Sequence, residues 1–352
     1  MTKTLVTGAS GFVGSHLARA LAERGDELVL MLRRTSDDRI LEGLDYARVT
    51  GDITDRRALR RALEGVDRVF HAAGRTSLRP ADREAVFDTN VKGTRMVLEE
   101  ALAAGVERAV LVSSVAAIGP AEPDGVADET APFTAGALGI AYVNSKHEAE
   151  VEALRLAAKG LPLVVANPTF VLGPDSPGGT SMHLVKRFLV GGIPAYVNGA
   201  LNIVDVRDVA RGLVLADEKG ELGERYILGG RNFTLDRLFA DLSRISGVPA
   251  PTLRLPAGMA ARAAELAGSA HLPLPISPDE IRSGALWWTY RNTKAKRELG
   301  FRARPHEETL EDSVRWQSDQ LGGRVGRGRG PARGALDLAG RAVALGERVL
   351  RQ

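Results

Sequence analysis

The 352-residue sequence predicts an α/β fold: a doubly wound parallel sheet with helices on both faces and a smaller C-terminal substrate-binding region. Three observations predict it. A glycine-rich turn, TGASGFVG, follows the first short apolar run. Short β-rich runs then alternate with helical patterns, the signature of parallel strands joined by crossover helices. Beyond Pro168 that alternation stops.

Taken in order, a first strand is expected at Thr4 to Thr7 and a helix from Gly11 to Ala22, with glycines at 8, 11 and 14. A strand feeding a helix through glycines leaves the first helical amides unpaired and lets a phosphate approach the backbone. The spacing is GxxGxxG rather than GxGxxG, so the general roles of the glycines carry over while the stricter dinucleotide fingerprint does not. Further strands are expected at Leu28 to Leu32, Ala47 to Thr50, Arg68 to His71, Ala109 to Ser113 and Leu163 to Ala166, with the clearest helices at Asp82 to Ala104 and Tyr142 to Lys159. Six such strands place a nucleotide at their C-terminal ends. Residues 1–170 form this nucleotide-binding domain. Residues 171–320, where prolines and glycines crowd Gly173 to Gly179 and Pro249 to Pro278 around a helix at Leu235 to Ser246, form the substrate-binding region, with scope to return strands to the sheet.

Composition excludes several classes of function. There is no cysteine, which removes disulfides, thiol catalysis and thiolate metal sites, and six scattered histidines suggest no metal site. With 44% apolar and 26% charged residues and no apolar run of the roughly 20 residues a span requires, a cytoplasmic globular protein is the simplest expectation. The pI of about 9.2 is a local effect. Residues 321–352 carry seven arginines against Asp337 and Glu347, +5 of a net +3, so the body before them is not basic and nucleic acid is not an expected partner. That segment reads as a flexible linker and then an amphipathic stretch with Leu338, Ala342, Leu345 and Val349 near one face. Such a stretch is open to weak membrane-surface contact, although packing on the body or a partner subunit is the plainer reading.

The chemistry concentrates at two places. Tyr142 and Lys146 in AYVNSKHEAE are i and i+4 on one helical face, where an ammonium beside a phenol lowers the phenol's pKa and fits it for proton exchange with a hydroxyl or carbonyl. Alone, that pair is equally a solvated surface pair. In LVSSVAAIG a strand ends in Ser113 and Ser114 at the edge expected to face a cofactor, where a hydroxyl donates to an oxygen gaining charge.

Together TGASGFVG, GDITD, HAAG, NVKGT, VSSVAAIG and YVNSK resemble the extended short-chain dehydrogenase/reductases, the NAD-dependent epimerase/dehydratase family, over nearly all of residues 1–320. The resemblance implies a Rossmann-type sheet, a homodimer, and a catalytic triad of Ser114, Tyr142 and Lys146, with Asn90 organising a water relay. It implies cofactor contacts from the turn residues Gly8, Gly11, Phe12, Val13 and Gly14, from Asp52 and Ile53 beside the adenine, and from Ala72 and Ala73 along the ribose and pyrophosphate. Tyr142, Lys146, Asn167 and Pro168 would lie toward the nicotinamide, and His71 would be structural. At the end of the second expected strand, the acid that grips the ribose of NAD is missing, and Arg33 and Arg34 stand in its neighbourhood. Guanidinium groups suit a 2′-phosphate, so NADP(H) is favoured and NAD(H) is the alternative.

Two branches compete for the reaction on a small-molecule substrate. ANPTFVLGP resembles dihydroflavonol 4-reductase-like enzymes, whereas PAYVNGALNIVDVRDVARG with ERYILGG resembles bacterial proteins named hopanoid-associated sugar epimerases. Nucleotide-sugar epimerases usually carry an asparagine three residues before the first segment's glycine and an arginine on the diphosphate in the second. Here those places hold Phe170 and Leu201. A diphosphate needs charged partners in a dry site, so these residues favour a less charged ketone or aldehyde, with Phe170 toward the substrate. The alternative is an epimerase or dehydratase in which Arg207, or a basic group elsewhere in the chain, replaces the missing contacts. A third reading, a noncatalytic NADP(H) sensor, sits poorly with the retention of both Tyr142 and Lys146.

Overall fold

The computed structural model describes residues 1–176, 180–193, 195–260, 262 and 277–326. Its main sheet has seven parallel strands in the order β10-β6-β5-β4-β1-β2-β3. These are β1 (Lys3–Thr7), β2 (Glu27–Leu32), β3 (Ala47–Thr50), β4 (Arg68–His71), β5 (Arg108–Val112), β6 (Leu163–Pro168) and β10 (Arg225–Leu228). Strand side chains alternate between faces, and both faces are covered, so β2 is apolar almost throughout. Leu28, Leu30 and Leu32 enter one core with Leu17 and Leu21 of α1 (Phe12–Arg24) and Val209 and Leu213 of α7 (Val206–Lys219). Val29 and Met31 enter the other, with Ala58 and Leu59 of α2 (Arg56–Ala62), Val97 and Leu98 of α4 (Thr94–Ala104), and Ala153 and Leu156 of α5 (Ala141–Ala157).

Two expectations change. The sheet has a seventh strand because the chain returns after residue 171: α7 packs along α1 and delivers β10 parallel to β6. The helix expected over Asp82 to Ala104 is divided into a turn at Pro80–Asp82, α3 (Arg83–Phe87), a π-turn at Asp88–Gly93 and α4. At the end of that π-turn, Gly93 lies so close to Ile53 that an added Cβ would stand 2.5 Å from Ile53 Cδ1.

Above the C-terminal edge of the large sheet, β9 (Ala200–Asp205) runs between β11 (Arg231–Thr234) and β13 (Trp287–Trp288), and β7 (Phe170–Leu172) also pairs with β9. Helices α6 (Thr180–Leu189) and α8 (Leu235–Ser246) and the helix His306–Leu321 close a separate apolar core on this sheet through Val185, Phe188, Leu238, Phe239, Leu310 and Val314. Among the described residues, no helix is long and apolar enough to cross a membrane. The amphipathic stretch expected near the C-terminus lies outside the described residues.

Candidate active site

The glycine turn is a tight cradle at the end of β1. Gly8 has φ +78°, and its amide neighbourhood is pressed so closely on the next strand's loop that a Cβ there would stand 2.5 Å from the Ala73 nitrogen. The Gly11 N–H donates to the Gly8 carbonyl at 2.9 Å, and a Cβ on Gly14 would stand 2.1 Å from that same oxygen. Helix α1 starts at Phe12 with no side-chain cap on its first amides. A backbone held this near to Ala72 and Ala73, with uncapped helical N–H groups beside it, fits the diphosphate of a dinucleotide. Gly14→Ala is expected to cost about 1–3 kcal/mol or more through this overlap, and a thermal melt read with and without added nucleotide checks it.

At the ends of β5 and α5 the structure brings the three reactive side chains to one place. Ser114 follows β5 in extended conformation (φ −166°), and its Oγ accepts the Ala116 N–H at 3.1 Å. Tyr142 lies in the first turn of α5, its phenol beside the Ser114 hydroxyl. Burial raises the phenol's pKa, and the serine hydroxyl opposes that rise only in part. The expected lowering by a neighbouring cation is therefore corrected: desolvation dominates, and the phenol is held protonated. Lys146 points its Nζ to the Val112 carbonyl at 3.3 Å. Burial brings its pKa down to about 8, opposed by the charge of Glu150.

The wall behind them is polar and buried. Thr7 Oγ1 meets His71 Nδ1 at 2.7 Å, and His71 Nε2 meets Thr94 Oγ1 at 3.0 Å. Burial pushes this imidazole down to about 3, so it is a neutral structural link between β1, β4 and α4. Asn90, in the π-turn, accepts the Arg75 N–H at 2.8 Å and donates to the Arg75 carbonyl at 3.0 Å and to Ser145 Oγ at 2.9 Å. Its side chain thus clamps the loop after β4 to α5.

Asn167, 0% exposed, and Pro168 are both buried at the end of β6. The buried carboxylate of Glu150 takes the Asn167 amide at 2.7 Å while that same amide donates to the Ser114 carbonyl at 3.0 Å. Glu150 was not among the residues singled out from sequence. The signal that would have found it is its place one turn beyond Lys146 on the same helical face.

At the far end of the cradle, Arg33 and Arg34 follow β2 and are exposed. The nearby acids are taken by other arginines: Asp37 by Arg39, and Asp38 by Arg48. Neither Arg33 nor Arg34 makes an ion pair among the described residues. Asp52 is exposed, with its Oδ1 accepting both the N–H and the hydroxyl of Thr54, and Ile53 is almost fully buried beneath it.

Tyr142 faces an apolar surround. With Leu78, Phe133 and Trp288 it packs on a buried cluster of Ala116, Ala135, Ile140 and Val143, and the indole N–H of Trp288 donates to the Ser283 carbonyl at 2.8 Å. Phe170 is partly buried and packs on the core beneath β9, opposite Ile203 in register. Leu201 is buried and paired with Phe233. Arg207 is corrected as a substitute diphosphate ligand: its guanidinium is held by Asp205 at 2.8 Å and by Asp312 at 2.7 Å.

A glycine cradle on a doubly wound sheet, opening on a serine, a phenol and an ammonium, defines an NAD(P)-dependent oxidoreductase. The comparisons agree. The sequence profile of the NAD dependent epimerase/dehydratase family matches residues 4–229, and the chain belongs to that family, the extended short-chain dehydrogenase/reductases. It is 39% identical over 320 residues to a protein of Synechocystis sp. provisionally named dihydroflavonol 4-reductase, covering 88% of this chain and 93% of that one. It is also 39% identical over 254 residues to the sterol demethylase protein B of Methylococcus capsulatus, covering 72% of this chain and 77% of that one. Among solved structures, that of gox2253 superposes with a TM-score of 0.81 at 38% identity, over 92% of this chain and 100% of that one.

Proposed function

We propose that the protein is an NADP(H)-dependent reductase of a ketone or aldehyde on a relatively apolar small molecule. The observation that carries this reading is the Tyr142 phenol, kept protonated by burial, beside Ser114 and on the same apolar cluster as Leu78, Phe133 and Trp288. A reduction consumes a proton at the carbonyl oxygen, and a protonated phenol in an apolar wall is built to give one. The relatives named for a dihydroflavonol and a sterol support an apolar substrate.

NADPH, when bound, supplies the hydride. The amides of Phe12, Val13 and Gly14, with Ala72 and Ala73 alongside, would hold its diphosphate, and Arg33 and Arg34 would take its 2′-phosphate. Ser114 donates a hydrogen bond to the carbonyl oxygen as negative charge develops there and keeps its proton, and Tyr142 delivers the one proton that completes the alcohol. Lys146, as an ammonium, holds the ribose and stabilises the phenolate left on Tyr142. An alkaline decline in kcat/KM follows: it falls as pH rises through about 8, where Lys146 loses its charge. A pH profile of NADPH oxidation with a panel of apolar ketones and aldehydes tests both the reaction and this limb. No oxidation across the panel overturns the reading.

One observation favours the epimerase alternative. Arg187 on α6 has a buried Nη2 with no hydrogen-bond partner among the described residues, and the acid that bears on its charge is Glu280. A cation so placed is a candidate grip on a nucleotide diphosphate, and tightly retained NAD+ in the purified protein would select this second reading.

A further inference from the structure

We propose that Glu150 is the positioning residue of this site: its buried carboxylate fixes the Ser114 backbone through Asn167 and supplies the countercharge to the Lys146 ammonium. The proposal rests on the reductase reading for what Ser114 and Lys146 do, but not for how they are held. Tyr142, Lys146 and Glu150 succeed one another at single turns along one face of α5. Glu150 has a side-chain exposure of 3%. Its Oε2 accepts the Ser113 hydroxyl at 2.6 Å and the Asn167 amide at 2.7 Å, and its Oε1 accepts Arg225 Nη1 at 3.1 Å from β10. The remaining Asn167 proton reaches the Ser114 carbonyl at 3.0 Å. A single carboxylate thus joins the ends of β5, β6 and β10 beneath the reacting groups.

Its electrostatic role follows from what surrounds Lys146. From α5 it meets the neutral Tyr142 and the charged Glu150, from β4 the neutral His71, and from β5 the Val112 carbonyl. Glu150 is therefore the anion that keeps the ammonium charged in a desolvated place, and Arg225 moderates Glu150 from its far side. Opposite substitutions then have opposite effects. Glu150→Gln keeps the side chain's shape, removes the anion and lowers the pH at which Lys146 ionises. Arg225→Met removes the moderating cation and raises it. Glu150→Asp keeps the charge but not the reach to Asn167, so kcat falls while the ionisation stays near its native pH.

The test is the titration of Lys146 itself, followed by NMR in full-length protein carrying 13C at lysine Cε, with the resonance assigned by its loss in Lys146→Met. A shift of about one pH unit downward is expected in Glu150→Gln and an upward shift in Arg225→Met. The alkaline limb of kcat/KM should move with them. A purely structural Glu150 would lower the melting temperature in both variants and move Lys146 in neither, and that result overturns the proposal. Should Glu150→Gln fail to fold, an unmoved or downward Lys146 titration in Arg225→Met overturns it equally. If Lys146 shifts as stated while the limb stays fixed, the positioning charge stands and the role given to Lys146 in the reaction falls.

Discussion

Tyr142→Phe is expected to bind NADPH as the native protein does and to lose most of its turnover. The substitution removes one oxygen from a side chain that packs on the apolar cluster of Ala116, Ala135, Ile140 and Val143, so the fold and the cradle around Gly8 and Gly14 are undisturbed. What disappears is the proton donor. Positioned acid–base groups contribute about 10²- to 10⁴-fold, and kcat and kcat/KM should fall together by that order because the group acts in the transition state. Burial holds the native phenol protonated, so raising the pH within the stable range should not mimic the variant before Lys146 has titrated. Steady-state kinetics beside a fluorescence titration of NADPH separates the effects. Turnover within severalfold of native would remove Tyr142 from the chemistry.

The second large effect is expected at the cofactor's far end. Replacing Arg33 and Arg34 together by serine should raise KM for NADPH by about tenfold to a hundredfold and leave NADH nearly unchanged, since charge-assisted contacts to phosphate are among the stronger hydrogen bonds and NADH has no phosphate there. The reasoning rests on what the neighbouring charges do. Asp37 and Asp38 are already paired with Arg39 and Arg48, which leaves the two guanidinium groups after β2 without a carboxylate among the described residues. Ratios of kcat/KM for the two cofactors, measured at fixed ionic strength because the groups are exposed, decide the matter. An unchanged ratio would make these arginines ordinary surface charges.

What the sequence disclosed about this site was local. The i, i+4 spacing of Tyr142 and Lys146, the serine at a strand end and the glycines after β1 are one-dimensional patterns that survive folding because each belongs to a single element or its boundary. The buried network does not have that property. Glu150 gathers Ser113, Asn167 and Arg225 from positions 37, 17 and 75 residues away, and no periodicity announces such a meeting. For the same reason, the hold of Glu150 on the Asn167 amide is not legible in the sequence. The π-turn at Asn90 is invisible in a pattern that continues helically on both sides. Arg207 looks free in the sequence, but Asp205 is only two residues before it and Asp312 comes from another helix.

The claim that most needs a direct test is that this site spends its cofactor on each turnover. The protein should be purified without added nucleotide, dialysed and denatured, and any released nucleotide identified by mass spectrometry. The account predicts an empty supernatant or NADP(H) that dialysis removes, as expected of an enzyme that exchanges cofactor with solution. Stoichiometric NAD+ surviving dialysis would contradict it, assigning both the cofactor and the reaction to a self-regenerating epimerase cycle.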